Sequence, residues 1–237
     1  MEMVFDLKGK VARKVAKFQE MKKQRGVTLL EIIIVLGIIG IIAAGVVILA
    51  QRAFTAQDLT DVQDSLTSVR TAMDEAYKDS TEFPAASSNI TDLTKQNISS
   101  ASTASDQPIA TLVRLGKISP EEAFNGFSSD AFQMDQATTD SANSVHKGFV
   151  VLVNGLEQEE CRNLISQMGN QWDYVEAVKA GAGAGVNFAL SGRSLDNTAS
   201  GAILKTTTST DIAPNAIVAT GICDGDGAVN GVIFGSK

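Results

Sequence analysis

Residues able to do chemistry are few. The 237 residues hold one His, His146, and two Cys, Cys161 and Cys223. That is too little for a His-rich metal site or a zinc ribbon. His146 lies in a polar stretch with no acid–nucleophile arrangement near it in the sequence, so it reads as a surface His. The pattern Gly-x-Ser-x-Gly does not occur. Gly181-Ala-Gly-Ala-Gly185 lacks the Lys-Ser/Thr of a phosphate-binding loop and follows no clear βαβ unit, so it reads as a flexible loop. Asp224-Gly-Asp-Gly227 carries two acids of a calcium loop but neither the third ligand nor the closing Glu, so it reads as a tight turn. Nothing assembles into a catalytic constellation. The expectation is a non-enzyme with no cofactor and no metal.

One carboxylate stands apart. Val27–Ala50 reads VTLLEIIIVLGIIGIIAAGVVILA, with Glu31 as its single charge. As a helix these residues span about 36 Å at about 1.5 Å per residue. That is enough to cross the roughly 30 Å hydrocarbon core of a bilayer. Residues 1–26 hold eight Lys/Arg against three acids, a net +5. The whole chain carries −7, so the other 211 residues carry −12. Cationic residues stay on the cytoplasmic side, so everything after Ala50 is expected outside. The acidic balance (pI about 4.8) gives no reason to expect nucleic-acid binding. The apolar run is longer than a secretory h-region, and an acid within it disfavours an ordinary signal anchor.

Gln24-Arg25-Gly26-Val27-Thr28-Leu29-Leu30-Glu31 resembles the processing site of type IV prepilins. That resemblance implies cleavage after Gly26 by a membrane peptidase on the cytoplasmic side. It also implies N-methylation of Val27 and retention of the apolar segment on the mature chain. A long leader, a long mature chain and the run Leu112-Val-Arg-Leu-Gly-Lys-Ile-Ser-Pro-Glu-Glu-Ala123 are similar to the type IVb class, the toxin-coregulated, longus and colonisation-factor group of enteric pathogens. Gly37, Gly40 and Gly45 of the segment either allow close helix packing or, as the resemblance implies, ease partial unwinding of the helix inside the fibre.

The elements that must carry these residues follow from periodicity. No Pro precedes Pro84. Leu59, Val62, Leu66, Val69, Met73 and Ala76 recur at alternating steps of three and four, one face of a helix. With the membrane run, one helix is expected over about 27–78. Residues 79–107 read as a loop. Ile109–Leu115 reads as a helix with Gly116 as its C-cap, and Ser119-Pro-Glu-Glu122 as a further helix start. Gly148–Asn154 reads as a buried strand and Leu156–Met168 as a helix stopped by Gly169. Strand-like runs follow at Tyr174–Val178, Val186–Leu190, Ile203–Thr208, Ala216–Thr220 and Val229–Phe234. The fold class is therefore α+β: a long N-terminal helix packed on a mostly antiparallel sheet, as in type IV pilins. Strand order is not readable from this pattern.

Two Cys in an exported domain imply a Cys161–Cys223 bridge. The bridge would close a loop of about 63 residues, which stabilises by on the order of 4 kcal/mol in the chain-entropy account. Pilins carry a comparable C-terminal bridge. The expected division is 1–26 a cleaved basic leader, 27–50 a transmembrane and filament-core helix, and 51–237 an exported head that includes the amphipathic half of the helix.

A helix apolar all round must pack on copies of itself once it leaves the membrane. Heterologous contacts that do not close give an open fibre. The reading is a major subunit of a type IVb pilus, for adhesion, bacterial aggregation and colonisation. Expected partners are further copies of the chain, the prepilin peptidase, an assembly platform and its ATPase. The precursor is expected in the inner membrane and the fibre on the surface of a Gram-negative bacterium. Glu31 is assigned to assembly, pairing with the amine of Val27 on a neighbouring copy. The rival readings are a minor pilin, a type II secretion pseudopilin and a signal-anchored exported enzyme.

Overall fold

The expected long helix forms. In the computed structural model, α1 runs from Leu29 to Tyr77, 49 residues without a break. No Pro in this span removes a backbone donor. The structure describes residues 28–86, 93–100, 107–140, 142, 144–182, 188–209 and 211–237. Gly26 and Val27 lie outside the described residues, as do 87–92 and 101–106 of the segment read as a loop. The chain divides into two units, Met1–Ala53 and Phe54–Lys237.

In the first unit, fifteen large apolar side chains between Leu29 and Leu49 are exposed, at 46% to 78%. Among the described residues α1 is the one helix long and apolar enough to cross a membrane.

The second unit contains the rest of α1, then α2 (Pro108–Arg114), β1 (Gln133–Ala137), β2 (Gly148–Leu156), α3 (Gln158–Met168), β3 (Tyr174–Lys179), β4 (Ile203–Lys205), α4 (Pro214–Ile217) and β5 (Asn230–Ser236). A 3₁₀ turn, Gly169–Gln171, extends α3. The sheet order is β1-β2-β5-β3-β4, and every neighbouring pair is antiparallel. The last strand in sequence thus lies at the centre of the sheet.

The periodic stripe of α1 is its buried face. Leu59, Val62, Leu66, Val69 and Met73 share one core with Phe149, Val151 and Val153 of β2 and with Val232 and Phe234 of β5. Ala76 packs on its edge. The alternate residues of the same strands, Val150, Leu152 and Ile233, form a second core on the other face with Tyr174 of β3, beneath Leu190 and Leu195. Leu195 is fully buried, close to the backbone at Gly148 and Gly235. Added Cβ atoms on those glycines would lie 2.5 and 2.7 Å from its methyl groups. With both faces covered, β2 is buried at every position, which is why it reads as an unbroken apolar run.

α2 ends as expected. Gly116 takes φ +66, its N–H donates to Val113, and the Lys117 N–H donates to Leu112. This pair of bonds is the Schellman arrangement, which satisfies carbonyls the helix leaves open. α3 begins with a capping box between Glu157 and Glu160.

Three local expectations are corrected. Ser119-Pro-Glu-Glu122 makes the reciprocal cap, with the Ser119 N–H on Glu122 at 2.8 Å and the Glu122 N–H on Ser119 Oγ at 3.3 Å. It remains a single turn, because the chain enters a bridge at Phe124↔Ala131. Ala216–Thr220 is not a strand, since Pro214 starts the short α4 across it. Phe188–Leu190 is irregular, and Val186 lies outside the described residues. The stop at Gly169 is as expected: α3 ends at Met168 with Gly169 as its C-cap, at φ −54, and the chain tightens into the 3₁₀ turn.

Candidate assembly site

Thr28 and Glu31 sit together at the start of α1. The Glu31 N–H donates to Thr28 Oγ1 at 3.2 Å, and the Ile32 N–H donates to the Thr28 carbonyl at 3.2 Å. Thr28 is therefore the N-cap, and Glu31 lies in the first turn, at the positive end of the helix dipole. Around them lies the exposed apolar sleeve. Each Val, Leu or Ile taken fully out of water is worth roughly 1.5–3 kcal/mol, and fifteen of them within Leu29–Leu49 make the bare segment insoluble as a free rod. Glu31 is the single charge from Leu29 to Gln51.

The head is closed by its disulfide. Cys161 on α3 and Cys223 in the loop after α4 are bonded, with Cα atoms 5.8 Å apart. Both are buried. The loop that carries Cys223 includes the Asp224–Gly227 segment. It is a turn, held by the Gly221 N–H on Asp224 (3.0 Å) and by the Gly225 N–H on Asn230 (2.8 Å).

α1 is fastened to the segment that leads into β3 by contacts that sequence reading missed. Arg70 donates to the Gln171 carbonyl at 2.6 Å and lies 5.2 Å from the centre of the Trp172 ring. Trp172 continues a run of rings: Tyr77, Phe83, Phe149, Trp172 and Phe234, with centroids 5.4–6.3 Å apart. An Arg on the polar side of a helix stripe gives no sign of a stacking partner a hundred residues away.

His146 lines a small hollow with Asp135, Ser191 and Arg193. Asp135, His146 and Arg193 are engaged in structural contacts. Asp135 accepts the Ala86 and Gln136 N–H groups at 3.0 and 2.8 Å. His146 Nδ1 faces Glu82 at 3.6 Å, and Arg193 pairs with Glu176 at 3.1 Å. No hydrogen bond joins Ser191 to His146 among the described residues. No group of His, Cys, Asp and Glu among the described residues is placed to hold a metal.

The family model described as toxin-coregulated pilus subunit TcpA matches residues 111–232. A toxin coregulated pilin of Vibrio cholerae serotype O1 (El Tor) is 37% identical over 182 residues, 76% of this chain and 74% of the relative. The chain belongs to the toxin-coregulated pilus subunit family. A second toxin coregulated pilin of Vibrio cholerae is 37% identical over 177 residues, 74% of this chain and 72% of the relative. The prokaryotic N-terminal methylation motif matches residues 21–47, which include Gly26, Val27 and Glu31. The crystal structure of TcpA, a type IV pilin from the Vibrio cholerae El Tor biotype, superposes with a TM-score of 0.56 at 28% identity. It covers 76% of this chain and 99% of that one. The fold is thus that of a type IV pilin.

Proposed function

We propose that this pilin is the major, non-catalytic subunit of a type IVb surface filament. In this reading residues 1–26 are a leader, cut after Gly26, and Val27 becomes the N-methylated first residue. Residues 27–50 hold the precursor in the inner membrane of a Gram-negative bacterium and later form the fibre core. The exported head, from residue 51 onward, coats the fibre, which serves adhesion, aggregation and colonisation. A prepilin peptidase makes the cut, and an assembly platform with its ATPase drives extraction.

The observation that carries this reading is the sleeve of fifteen exposed apolar side chains on a helix whose other half is built into a closed head. Such a surface needs either lipid or copies of itself. Glu31 is the exception within it, and an acid in an apolar core needs a partner. Cleavage creates one in the amine of Val27 on a neighbouring copy. The pair fixes the axial register of each incoming subunit, while desolvation offsets part of its attraction.

The test is Glu31→Val. The variant is expected to be cut after Gly26 and to fold with its disulfide, yet to form few fibres. In cells that also make the native subunit, fibres are expected to be depleted in the variant. Abundant normal fibres from the variant alone would refute the pairing. Failure of cleavage would assign Glu31 to peptidase recognition instead.

A further inference from the structure

Asn-Gly occurs three times in the chain: Asn125-Gly126, Asn154-Gly155 and Asn230-Gly231. This dipeptide is the one most open to self-deamidation, because glycine has no side chain to shield its amide nitrogen. All three asparagines are buried, at 1%, 6% and 1% exposure. They converge on one feature, the bulge at the end of β2. There the β2–β5 register slips between Val153 and Leu156, and Gly155 takes φ +73.

Asn154 is held on all sides. Its Nδ2 donates to Asp130 Oδ2 at 2.7 Å and to the Gly181 carbonyl at 2.9 Å. Its Oδ1 accepts from Ser128 Oγ at 3.0 Å and from Asn125 Nδ2 at 3.3 Å. Asn125 Nδ2 also donates to the Asn154 carbonyl at 2.7 Å, and its Oδ1 accepts the Phe127 N–H at 3.0 Å. Asn230 lies opposite Leu156 in the register and donates to its carbonyl at 3.1 Å. The Gly155 N–H, the nucleophile in any deamidation of Asn154, is itself donated to the Ala180 carbonyl at 2.9 Å.

We propose that this cluster is a folding-gated self-modification site, closed in the native head and open to deamidation once the head unfolds. In the unfolded chain the Gly155 nitrogen loses its proton to solvent base and attacks Asn154 Cγ. A C–N bond forms, the bond from Cγ to the side-chain nitrogen breaks, and ammonia leaves. Water then opens the succinimide at either carbonyl, giving aspartate or isoaspartate. No electron changes hands. In the fold, the nitrogen is engaged with Ala180 and the amide cannot turn toward it.

The product does not fit back. An aspartate at 154 loses the donor to Gly181 and sets a second carboxylate against Asp130 inside the protein. Like charges at that range resist common ionisation, and buried acceptors left facing each other are costly. An isoaspartate adds an atom to the backbone within the bulge. A head that has unfolded and reacted is thereby removed from the pool able to refold, whereas folded subunits in a fibre stay intact.

The full-length chain in mild detergent at mildly alkaline pH tests this. One sample is kept native and one is unfolded in guanidinium with reductant, and peptide mass mapping follows the three dipeptides. Deamidation of Asn154 is expected to be at least about tenfold slower in the native sample, because reaction requires opening of the fold. Samples freed of reductant and diluted at once from denaturant into a glutathione redox buffer, whose disulfide form supplies the oxidant, should recover the Cys161–Cys223 bond, and samples held until Asn154 has converted should not. Asn154→Asp, made directly, is expected to yield little disulfide-bonded head. Equal rates in the two samples would overturn the proposal. So would deamidated or Asn154→Asp chains that refold with the native thermal midpoint.

Discussion

Thr28 Oγ1 accepts the backbone N–H of Glu31 at 3.2 Å, so the hydroxyl that caps α1 also fixes the turn from which the segment's single carboxylate projects. The cap follows directly from Thr-x-x-Glu. Thr28→Val removes the acceptor and is expected to cost about 0.5–2 kcal/mol at the helix start. Thr28→Ser keeps the acceptor. Fibre yield should fall for the valine variant and stay near normal for the serine variant, as read by shearing and quantifying surface pilin.

The disulfide joins α3 to the loop that enters the central strand β5. Replacing Cys161 or Cys223 by Ser is expected to cost about 2–5 kcal/mol. For a head of this size that lowers the thermal midpoint by several degrees, at roughly 2–4 °C per kcal/mol. Thermal unfolding of the detergent-solubilised chain checks it, and the native protein should titrate no free thiol.

Arg70 joins α1 to the segment between α3 and β3 through the Gln171 carbonyl and the face of Trp172. Arg70→Ala is expected to cost about 1–3 kcal/mol from the lost stacking and charge-assisted bond. Trp172 is the only tryptophan in the chain. Its emission should therefore shift to the red in the variant, and Arg70→Lys should restore little because an ammonium does not stack as a guanidinium does.

Two glutamates give opposite pH signatures. Burial holds the Glu160 carboxyl above its ordinary pKa. The carboxylates of Glu157, Asp58 and Glu159 push it the same way, against the bond from the Glu157 N–H. The folded head binds that proton more tightly than the unfolded chain does, so this group's contribution falls as pH rises through the raised value. Glu160→Gln keeps an oxygen for the Glu157 N–H and should be more stable than the native chain at pH 7, with the advantage gone below about pH 4. Glu122 is held below its ordinary value, first by the Ser119 N–H and then by the hydroxyls of Ser68 and Ser119. Its contribution is present above the unfolded pKa of about 4.3 and is lost as pH falls through the lower folded value. Glu122→Gln should be less stable at pH 7. Urea midpoints across this pH range check both signs.

Where a single pattern governs an element, it was legible in the sequence. The α1 stripe, the Gly116 cap, β2 and the Cys pair each rest on periodicity or residue type, and each lies where the sequence placed it. β1 was missed because Gln133-Met-Asp-Gln-Ala137 is polar. Its polar groups are satisfied by partners about fifty residues away in sequence, Asp135 by the Ala86 N–H and Gln133 by the Phe188 N–H. α4 reads as a strand because four residues carry too little periodicity to distinguish the two, although Pro214 marks the start. The Asn154 cluster gave only a faint sign, a glycine following Asn inside a strand-like run, which suggests a bulge. Arg70 on Trp172 gave none, since the pairing exists only after the sheet has assembled.

The account stands most directly on the N-terminus of the subunit in the fibre. Surface fibres sheared from cells, purified and subjected to N-terminal sequencing and intact mass measurement should consist mainly of this chain. The account predicts a subunit that begins at Val27, carries a methyl group on that amine, lacks the basic leader and retains the oxidised Cys161–Cys223 pair. Fibres whose subunit still carries residues 1–26, or surface fibres in which this chain is absent, would contradict it.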